Sequence, residues 1–238
     1  MMKTIGLIGG MSWESSLEYY RIINETTKQK LGGFHSSKSI LYSVDFDEVE
    51  QLQHQDKWDE LTQIMIRAAQ SLERAGAELV VICTNTMHKM ADDVQGSIQI
   101  PLLHIVDATA MQIQRQNLHT VGLLGTKFTM EQEFYKGRLS EKFGLKVLIP
   151  PEDERGIVHR VIYDELCLGQ VKESSRVEYI HIINNLVNRG AQGIILGCTE
   201  IPLLVKQEDI SVPIFDTTTI HAKHAVDVAL EGDGERQI

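Results

Sequence analysis

Residues Gly190 to Pro202 form the stretch GAQGIILGCTEIP, which occurs a second time, in altered form, as GAELVVICTNTMH at Gly76 to His88. Each copy starts with Gly-Ala, continues with an apolar run and ends in small polar residues. The apolar run suits a strand buried on both faces of a parallel sheet. The polar residues then lie at the carboxyl end of the strand, where open α/β sheets bind ligands. The two copies therefore predict two related sites.

Two more segments are repeated in the same order. Thr4–Gly10 (TIGLIGG) resembles Thr120–Thr126 (TVGLLGT) at an offset of 120 − 4 = 116, and Ile100–His104 (IPLLH) resembles Val212–Asp216 (VPIFD) at 213 − 101 = 112. The first pair of stretches has an offset of 190 − 76 = 114. Such regularity indicates duplication of a unit of about 110 residues.

The duplicated pattern of strands alternating with helices predicts an α/β fold. We expect two pseudo-symmetric lobes, each a mainly parallel sheet flanked by helices, with the active site in the cleft between them. The predicted N-terminal lobe comprises residues 1–103 plus 215–238, and the C-terminal lobe comprises 104–214. Two helix caps are also predicted: a capping box of Ser15 with Glu18, and Thr129 with Gln132.

When the two copies are aligned, Thr84 corresponds to Cys198, because 84 + 114 = 198. A cysteine at a strand end, beside a helix N-terminus, can have its thiolate favoured. Two proton-handling groups on opposite sides of one carbon are what removal and replacement of a proton on opposite faces requires. Hydroxyl and amide groups beside them can hold a carboxylate and stabilise an enolate-like charge. Asn85, Thr86 and Thr199 carry such groups, and Met87 and Glu200 adjoin them as further candidate substrate-binding residues.

The opening segment GLIGGMSWES predicts a strand, a glycine turn and a helix. Gly10, Met11 and Ser12 would then form an anion site, where N–H groups at a helix N-terminus hold a carboxylate. A simple tight turn is the alternative. The segment matches neither the dinucleotide-binding nor the P-loop glycine pattern, so a carboxylate is favoured over a nucleotide.

Composition narrows the class of protein. The net charge of −10 argues against general binding to nucleic acid or anionic membranes, and the 238-residue sequence holds no apolar run near the roughly 18 residues of a membrane span. Three cysteines without disulfide-framework spacing, and no secretory leader pattern, favour a cytoplasmic protein.

Together GLIGGMSWES, TNTMH and GCTEIP, in a duplicated two-lobe layout, resemble the aspartate/glutamate racemase family. The resemblance covers nearly the whole chain. Within that family, the sequence is most similar to the enterobacterial subgroup that is described as L-aspartate/glutamate-specific or of broad specificity. It implies a homodimeric, cofactor-independent enzyme that inverts a small amino acid between two facing cysteines.

The sequence departs from that family at two places. The family's first cysteine corresponds to Thr84, while Cys83 lies one residue earlier. Because side chains alternate along a strand, Cys83 is predicted to be a buried structural residue; a local bulge would be needed to turn it towards the cleft. Many family members also carry an arginine for the substrate's side-chain carboxylate, where this sequence has Gln51 and Gln53. Strict aspartate preference is therefore not expected.

Thr84 and Cys198 are thus the predicted catalytic residues, and no metal or other cofactor is expected. The remaining predicted substrate-binding residues are Gln53, Thr126 and Glu165. His88, His104 and His221 follow strand ends and are predicted to be structural or ligand-orienting, with zinc binding alongside Cys198 as the alternative.

The predicted function is racemisation of aspartate, glutamate or another small polar amino acid. Relatives of the family use the same scaffold for decarboxylation, hydantoin racemisation or maleate isomerisation, so a same-fold decarboxylase or isomerase is one alternative. A catalytically impaired amino-acid-binding protein is the other, because the first cysteine is missing.

Overall fold

The computed structural model describes residues 1–231, which contain eight β-strands and eleven α-helices. The strands are β1 (Ile5–Gly9), β2 (Ser39–Ser43), β3 (Leu79–Ile82), β4 (Leu102–Leu103), β5 (Thr120–Gly125), β6 (Lys146–Leu148), β7 (Ile194–Gly197) and β8 (Ile214–Asp216). The helices are α1 (Trp13–Leu31), α2 (Phe46–His54), α3 (Trp58–Arg74), α4 (Ala91–Gly96), α5 (Ile105–Gln114), α6 (Lys127–Glu131), α7 (Glu133–Phe143), α8 (Glu152–Asp164), α9 (Glu173–Asn188), α10 (Ile201–Leu204) and α11 (Thr217–Leu230). Short 3-10 helices cover Thr86–Met90, Leu166–Leu168 and Gln207–Asp209.

Contacts divide the chain into two compact units. The first comprises residues 1–104 and the described residues from His221 onward, and the second comprises Ile105–Ile220. The predicted boundaries fell after residues 103 and 214, and residues 232–238 of the predicted N-terminal lobe lie outside the described part. Strand β8 pairs with β7, so Phe215 and Asp216 lie in the second unit.

Each unit contains one four-stranded parallel sheet. The strand order is β2-β1-β3-β4 in the first and β6-β5-β7-β8 in the second. Helices flank both sheets, which satisfies the burial that strands apolar on both faces require. The predicted α/β class with two mainly parallel sheets is confirmed.

Strand register reproduces the offsets found in the sequence. Ile8 pairs with Ile82 in the first sheet, and Leu124 pairs with Leu196 in the second. These pairs correspond, since 8 + 116 = 124 and 82 + 114 = 196. The pairing of β3 with β4 and of β7 with β8 corresponds in the same way, because 81 + 114 = 195 and 103 + 112 = 215. The repeated segments therefore occupy equivalent positions in two sheets of identical order.

Strands β1 and β3 of the first sheet are buried on both faces. Ile5 and Leu7 pack in a cluster with residues of α1 and α11, whereas Ile8 packs on the opposite face with residues of α3 such as Met65. Burying a side chain of this size contributes about 1.5–3 kcal/mol. Packing on both faces thus fixes β1 and β3, and with them the segments that follow their carboxyl ends.

The two predicted helix caps were wrong. Ser12 caps α1, accepting a hydrogen bond from the Ser15 N–H at 3.5 Å, and Thr126 caps α6, accepting from the Thr129 N–H at 3.3 Å. A capping residue needs extended backbone, which Ser12 (φ −82°, ψ 176°) and Thr126 (φ −62°, ψ 160°) have. Residue type alone did not show which hydroxyl would occupy that conformation.

Among residues 1–231, none of the helices combines the length and the apolar character needed to cross a membrane.

Candidate active site

The segment after β3 carries Thr84 in the first unit. The N–H of Cys83 still donates to the Ile8 carbonyl at 2.9 Å, and the chain then leaves the sheet at the partly buried Thr84. A short 3-10 helix begins at Thr86, and the ring of His88 bonds the Thr84 carbonyl oxygen at 2.8 Å. The segment therefore folds back on itself at the end of its strand.

Cys83 belongs to the hydrophobic interior. Its side chain is 1% exposed and lies in the cluster that contains Leu79 and Val81 of β3 and Tyr19 of α1. Burial raises the pKa of the Cys83 thiol well above its usual value. A neutral, inert thiol is the consequence of that environment.

The glycine turn after β1 lies at the same sheet edge, because β1 and β3 are parallel neighbours. Gly10 has a φ of +92°, and a Cβ there would collide with the backbone of Val44. Its N–H donates to Ser16 Oγ at 2.8 Å, and Ser16 Oγ in turn donates to the Ser12 carbonyl at 3.1 Å. The turn that contains Gly10, Met11 and Ser12 is therefore held in place by the first turns of α1.

Gln53 of α2 contacts the segment after β3. Its Nε2 donates to the sulfur of Met87 at 3.3 Å, and both side chains are buried. Helix α2 was not predicted, and it is this helix that brings Gln53 to Met87.

Three histidines pack together in the first unit. The ring of His88 contacts those of His104 and His221. Within residues 1–231, no group of three or more His, Cys, Asp or Glu side chains is arranged to hold a metal ion. The sequence indicated these histidines only through their positions after the ends of predicted strands.

The segment after β7 carries Cys198 in the second unit. The Cys198 thiol donates to Glu200 Oε2 at 3.0 Å, and the Thr199 hydroxyl donates to the same oxygen at 2.6 Å. Cys198 is 8% exposed and Glu200 is 6% exposed. A nearly buried thiol thus has a carboxylate as its proton acceptor.

The pKa of Cys198 is raised well above its ordinary value. Burial is the main cause, followed by the negative charge of Glu200 and then that of Cys167. The expectation that the strand end would favour a thiolate was therefore wrong for the structure as it stands. Helix α10, which follows, has four residues and contributes little dipole to offset a neighbouring carboxylate.

Two residues near Cys198 were not assigned to the site from the sequence. A negative charge on Cys167 would raise the pKa of Cys198. Burial raises the pKa of Tyr179, as does the charge of Cys198, and the Tyr179 hydroxyl donates to the Val158 carbonyl at 2.8 Å. The local sequence around Tyr179 did not mark it as a neighbour of Cys198.

Thr126 and Glu165 form hydrogen bonds with other residues of the second unit. Thr126 is the cap of α6. The Glu165 carboxylate accepts from Ser175 Oγ at 2.7 Å and pairs with Lys172 at 3.3 Å. The hydrogen bond from Ser175 lowers the pKa of Glu165, so its charged form is stabilised.

Thr84 and Cys198 occupy equivalent positions with respect to their sheets. Thr84 lies two residues beyond Ile82, and Cys198 lies two residues beyond Leu196, the partner positions described above. A thiol that can pass its proton to a carboxylate can act as a base, whereas a hydroxyl can donate or relay a proton.

Comparison with known proteins gives a consistent result. Residues 8–225 match the family model described as Asp/Glu/hydantoin racemase. The crystal structure of a candidate Asp/Glu racemase from Yersinia pestis is 57% identical, with a TM-score of 0.92, over 97% of this chain and 100% of that one. An aspartate racemase homologue from Pyrococcus horikoshii OT3 is 39% identical, with a TM-score of 0.84 and the same coverage.

A curated relative is more distant. The broad specificity amino-acid racemase RacX of Bacillus subtilis (strain 168) is 24% identical over 179 residues, which is 72% of this chain and 74% of that protein. With a family model matched across most of its length, the chain belongs to the Asp/Glu/hydantoin racemase family.

Proposed function

We propose that the protein is a cofactor-independent racemase of aspartate, glutamate or another small polar amino acid. Cys198 removes the α-proton of the L-enantiomer, and Thr84 serves the opposite face of the substrate. The observation that carries the proposal is the buried hydrogen bond from the Cys198 thiol to Glu200.

That hydrogen bond supplies the first proton transfer. When the Cys198 proton moves to the Glu200 carboxylate, the sulfur becomes a thiolate able to take the α-proton of the substrate. The α-carbon is left with an enolate-like charge, and a proton delivered to its other face completes the inversion. Thr84 relays this proton through water, because an alkoxide would be too basic to persist.

The substrate carboxylate is bound by Gly10, Met11 and Ser12 together with Asn85 and Thr86 in this proposal. The N-terminal end of α1, a helix of 19 residues, favours an anion.

Gln53 supports recognition of a polar side chain without supplying charge, so the proposal does not restrict the substrate to aspartate. The names of the family and of its relatives support the same class of substrate.

Incubation of single enantiomers in deuterated water tests the reaction. We expect deuterium at the α-carbon together with inversion, detected by NMR and chiral chromatography. Release of CO2 would instead indicate a decarboxylase, and binding without exchange would indicate an amino-acid-binding protein. Both results contradict the proposal.

Cofactor independence has its own measurement. Activity is expected to survive dialysis against a chelator, and the purified protein is expected to lack pyridoxal absorbance. We further propose a homodimer, which sedimentation velocity will test. Activity lost to the chelator and restored by zinc would contradict the absence of a metal.

A further inference from the structure

The buried histidine cluster has no part in the reaction proposed above. His88, His104 and His221 are 2%, 7% and 0% exposed. The ring centroid of His88 lies 4.7 Å from that of His104 and 5.6 Å from that of His221. They come from three different parts of the chain: the 3-10 helix after β3, the residue that follows β4, and α11. Tertiary packing alone therefore brings these rings together.

Hydrogen-bond chemistry fixes the orientation of two of the rings. A carbonyl oxygen carries no proton, so the ring nitrogen must donate in each bond. His88 Nδ1–H donates to the Thr84 oxygen at 2.8 Å, and His221 Nε2–H donates to the Leu103 oxygen at 2.9 Å. The Tyr19 hydroxyl lies 2.9 Å from His221 Nδ1, which accepts its proton when the ring is neutral.

We propose that His88 is a positioning residue for Thr84, a role that rests on the proposed function. Ile82 is the last residue of β3 in register with β1, so Thr84 lies beyond the paired part of the strand. The bond from His88 fixes the Thr84 carbonyl and hence the direction of its side chain. His104 and His221 pack against His88 and keep its Nδ1 aimed at that carbonyl.

Accurate placement matters more for Thr84 than for a thiol at the same position. A hydroxyl is a weak acid and a weaker base, so its share of the proton transfer depends on geometry. Displacement of a reacting group by about 1 Å can reduce a rate about 10²-fold. The Thr84-dependent step should thus respond to His88 although His88 does not touch the substrate in this scheme.

Two substitutions separate the hydrogen bond from the packing of the ring. In His88→Asn the amide nitrogen is attached to Cγ, as Nδ1 is, so it can still donate to the Thr84 carbonyl. In His88→Gln the amide is one atom further out, at the position of Nε2, and the bond is lost. Both variants delete the imidazole ring, and His88→Asn removes the larger volume, so a purely structural role would affect His88→Asn at least as much as His88→Gln.

The measurements are α-proton exchange from each enantiomer, kcat and KM, and thermal unfolding. We expect His88→Gln to lower kcat for exchange from the D-enantiomer by about tenfold or more, with KM nearly unchanged and a smaller effect on the L-enantiomer. His88→Asn should stay within about threefold of the unmodified protein, since its amide restores the hydrogen bond to the Thr84 carbonyl. Equal losses in the two variants, or a loss confined to KM, would overturn the role.

The outcomes distinguish this role from the proposed function. If the unmodified protein shows no α-proton exchange, both the proposed function and the positioning role are wrong. If the unmodified protein is active and the two variants lose the same activity, only the positioning role is wrong. For variants that fail to fold, histidine-labelled unmodified protein supplies the readout: the Nδ1 proton of His88 should shift when D-aspartate is added. An unchanged resonance would count against the proposal.

Discussion

The segments after β3 and β7 are equivalent in register, but the hydrogen bond in each involves a different group of the equivalent residue. At Thr84, the hydrogen bond goes to the backbone, from His88. At Cys198, the side chain itself donates the hydrogen bond, to Glu200. A thiol has an ordinary pKa of about 8.5, and a hydroxyl is a far weaker acid. The two copies thus keep the same position relative to their sheets but place different side chains and different hydrogen bonds there.

Removing the thiol should have the largest effect. Cys198→Ala is expected to lower α-proton exchange by about 10³-fold or more, because no other base replaces the sulfur. Exchange in deuterated water measures the loss, and an unchanged circular dichroism spectrum shows that the fold is intact. Substantial exchange in this variant would mean that another residue is the base for the L-enantiomer.

Giving the two segments the same chemistry tests the difference directly. Thr84→Cys should raise exchange from the D-enantiomer about tenfold, because a thiol is a better base than a hydroxyl, while Thr84→Ser should stay within about threefold. In the unmodified enzyme the L-enantiomer should exchange faster. Enantiomers have equal free energy, so forward and reverse kcat/KM for full racemisation must be equal, and the asymmetry appears in exchange. Equal exchange from both enantiomers would remove the assignment of Thr84.

The partner of Cys198 should control the pH at which its thiolate forms. Burial and the negative charge of Glu200 raise the pKa of Cys198, so replacing that charge by a neutral amide lowers it. Glu200→Gln is therefore expected to show thiolate absorbance at lower pH than the unmodified protein. The contribution of Cys198 is isolated by subtracting the absorbance of a double variant that carries both Glu200→Gln and Cys198→Ala. A shift to higher pH would show that Glu200 stabilises the thiolate.

Cys83→Ala should have the smallest effect on activity. We expect exchange within about twofold of the unmodified protein and a loss of about 1 kcal/mol in unfolding free energy, from a small cavity in the core. An inactive Cys83→Ala protein that is still folded would reassign the base for the D-enantiomer.

The same variant has a pH signature. Burial raises the pKa of Cys83, so the folded state keeps its proton while the unfolded state releases it near pH 8.5. This contribution to stability is present below that pH and is lost as the pH rises. Urea unfolding at neutral and alkaline pH should show a smaller alkaline loss in Cys83→Ala.

The repeated segments explain why much of the fold could be predicted. Gly-Ala followed by an apolar run marks β3 and β7, and the offsets of 112 to 116 residues predicted two equivalent units. The strand registers, which pair Ile8 with Ile82 and Leu124 with Leu196, are equivalent in the two sheets. Helix α2 and the two caps could not be predicted in the same way. They depend on local backbone conformation, and the identity of a serine, threonine or glutamine residue does not determine that conformation.

The sequence by itself determined the α/β class, the duplication and the equivalent positions of Thr84 and Cys198, because all three depend on periodicity and order along the chain. Only the tertiary structure decided the state of the Cys198 thiol and the contacts of His88. Burial, the carboxylate of Glu200 and the charge of Cys167 act through space on Cys198. The three histidines lie far apart in sequence and meet only where their elements pack. Desolvation and side-chain contacts of this kind arise from packing, which no local pattern encodes.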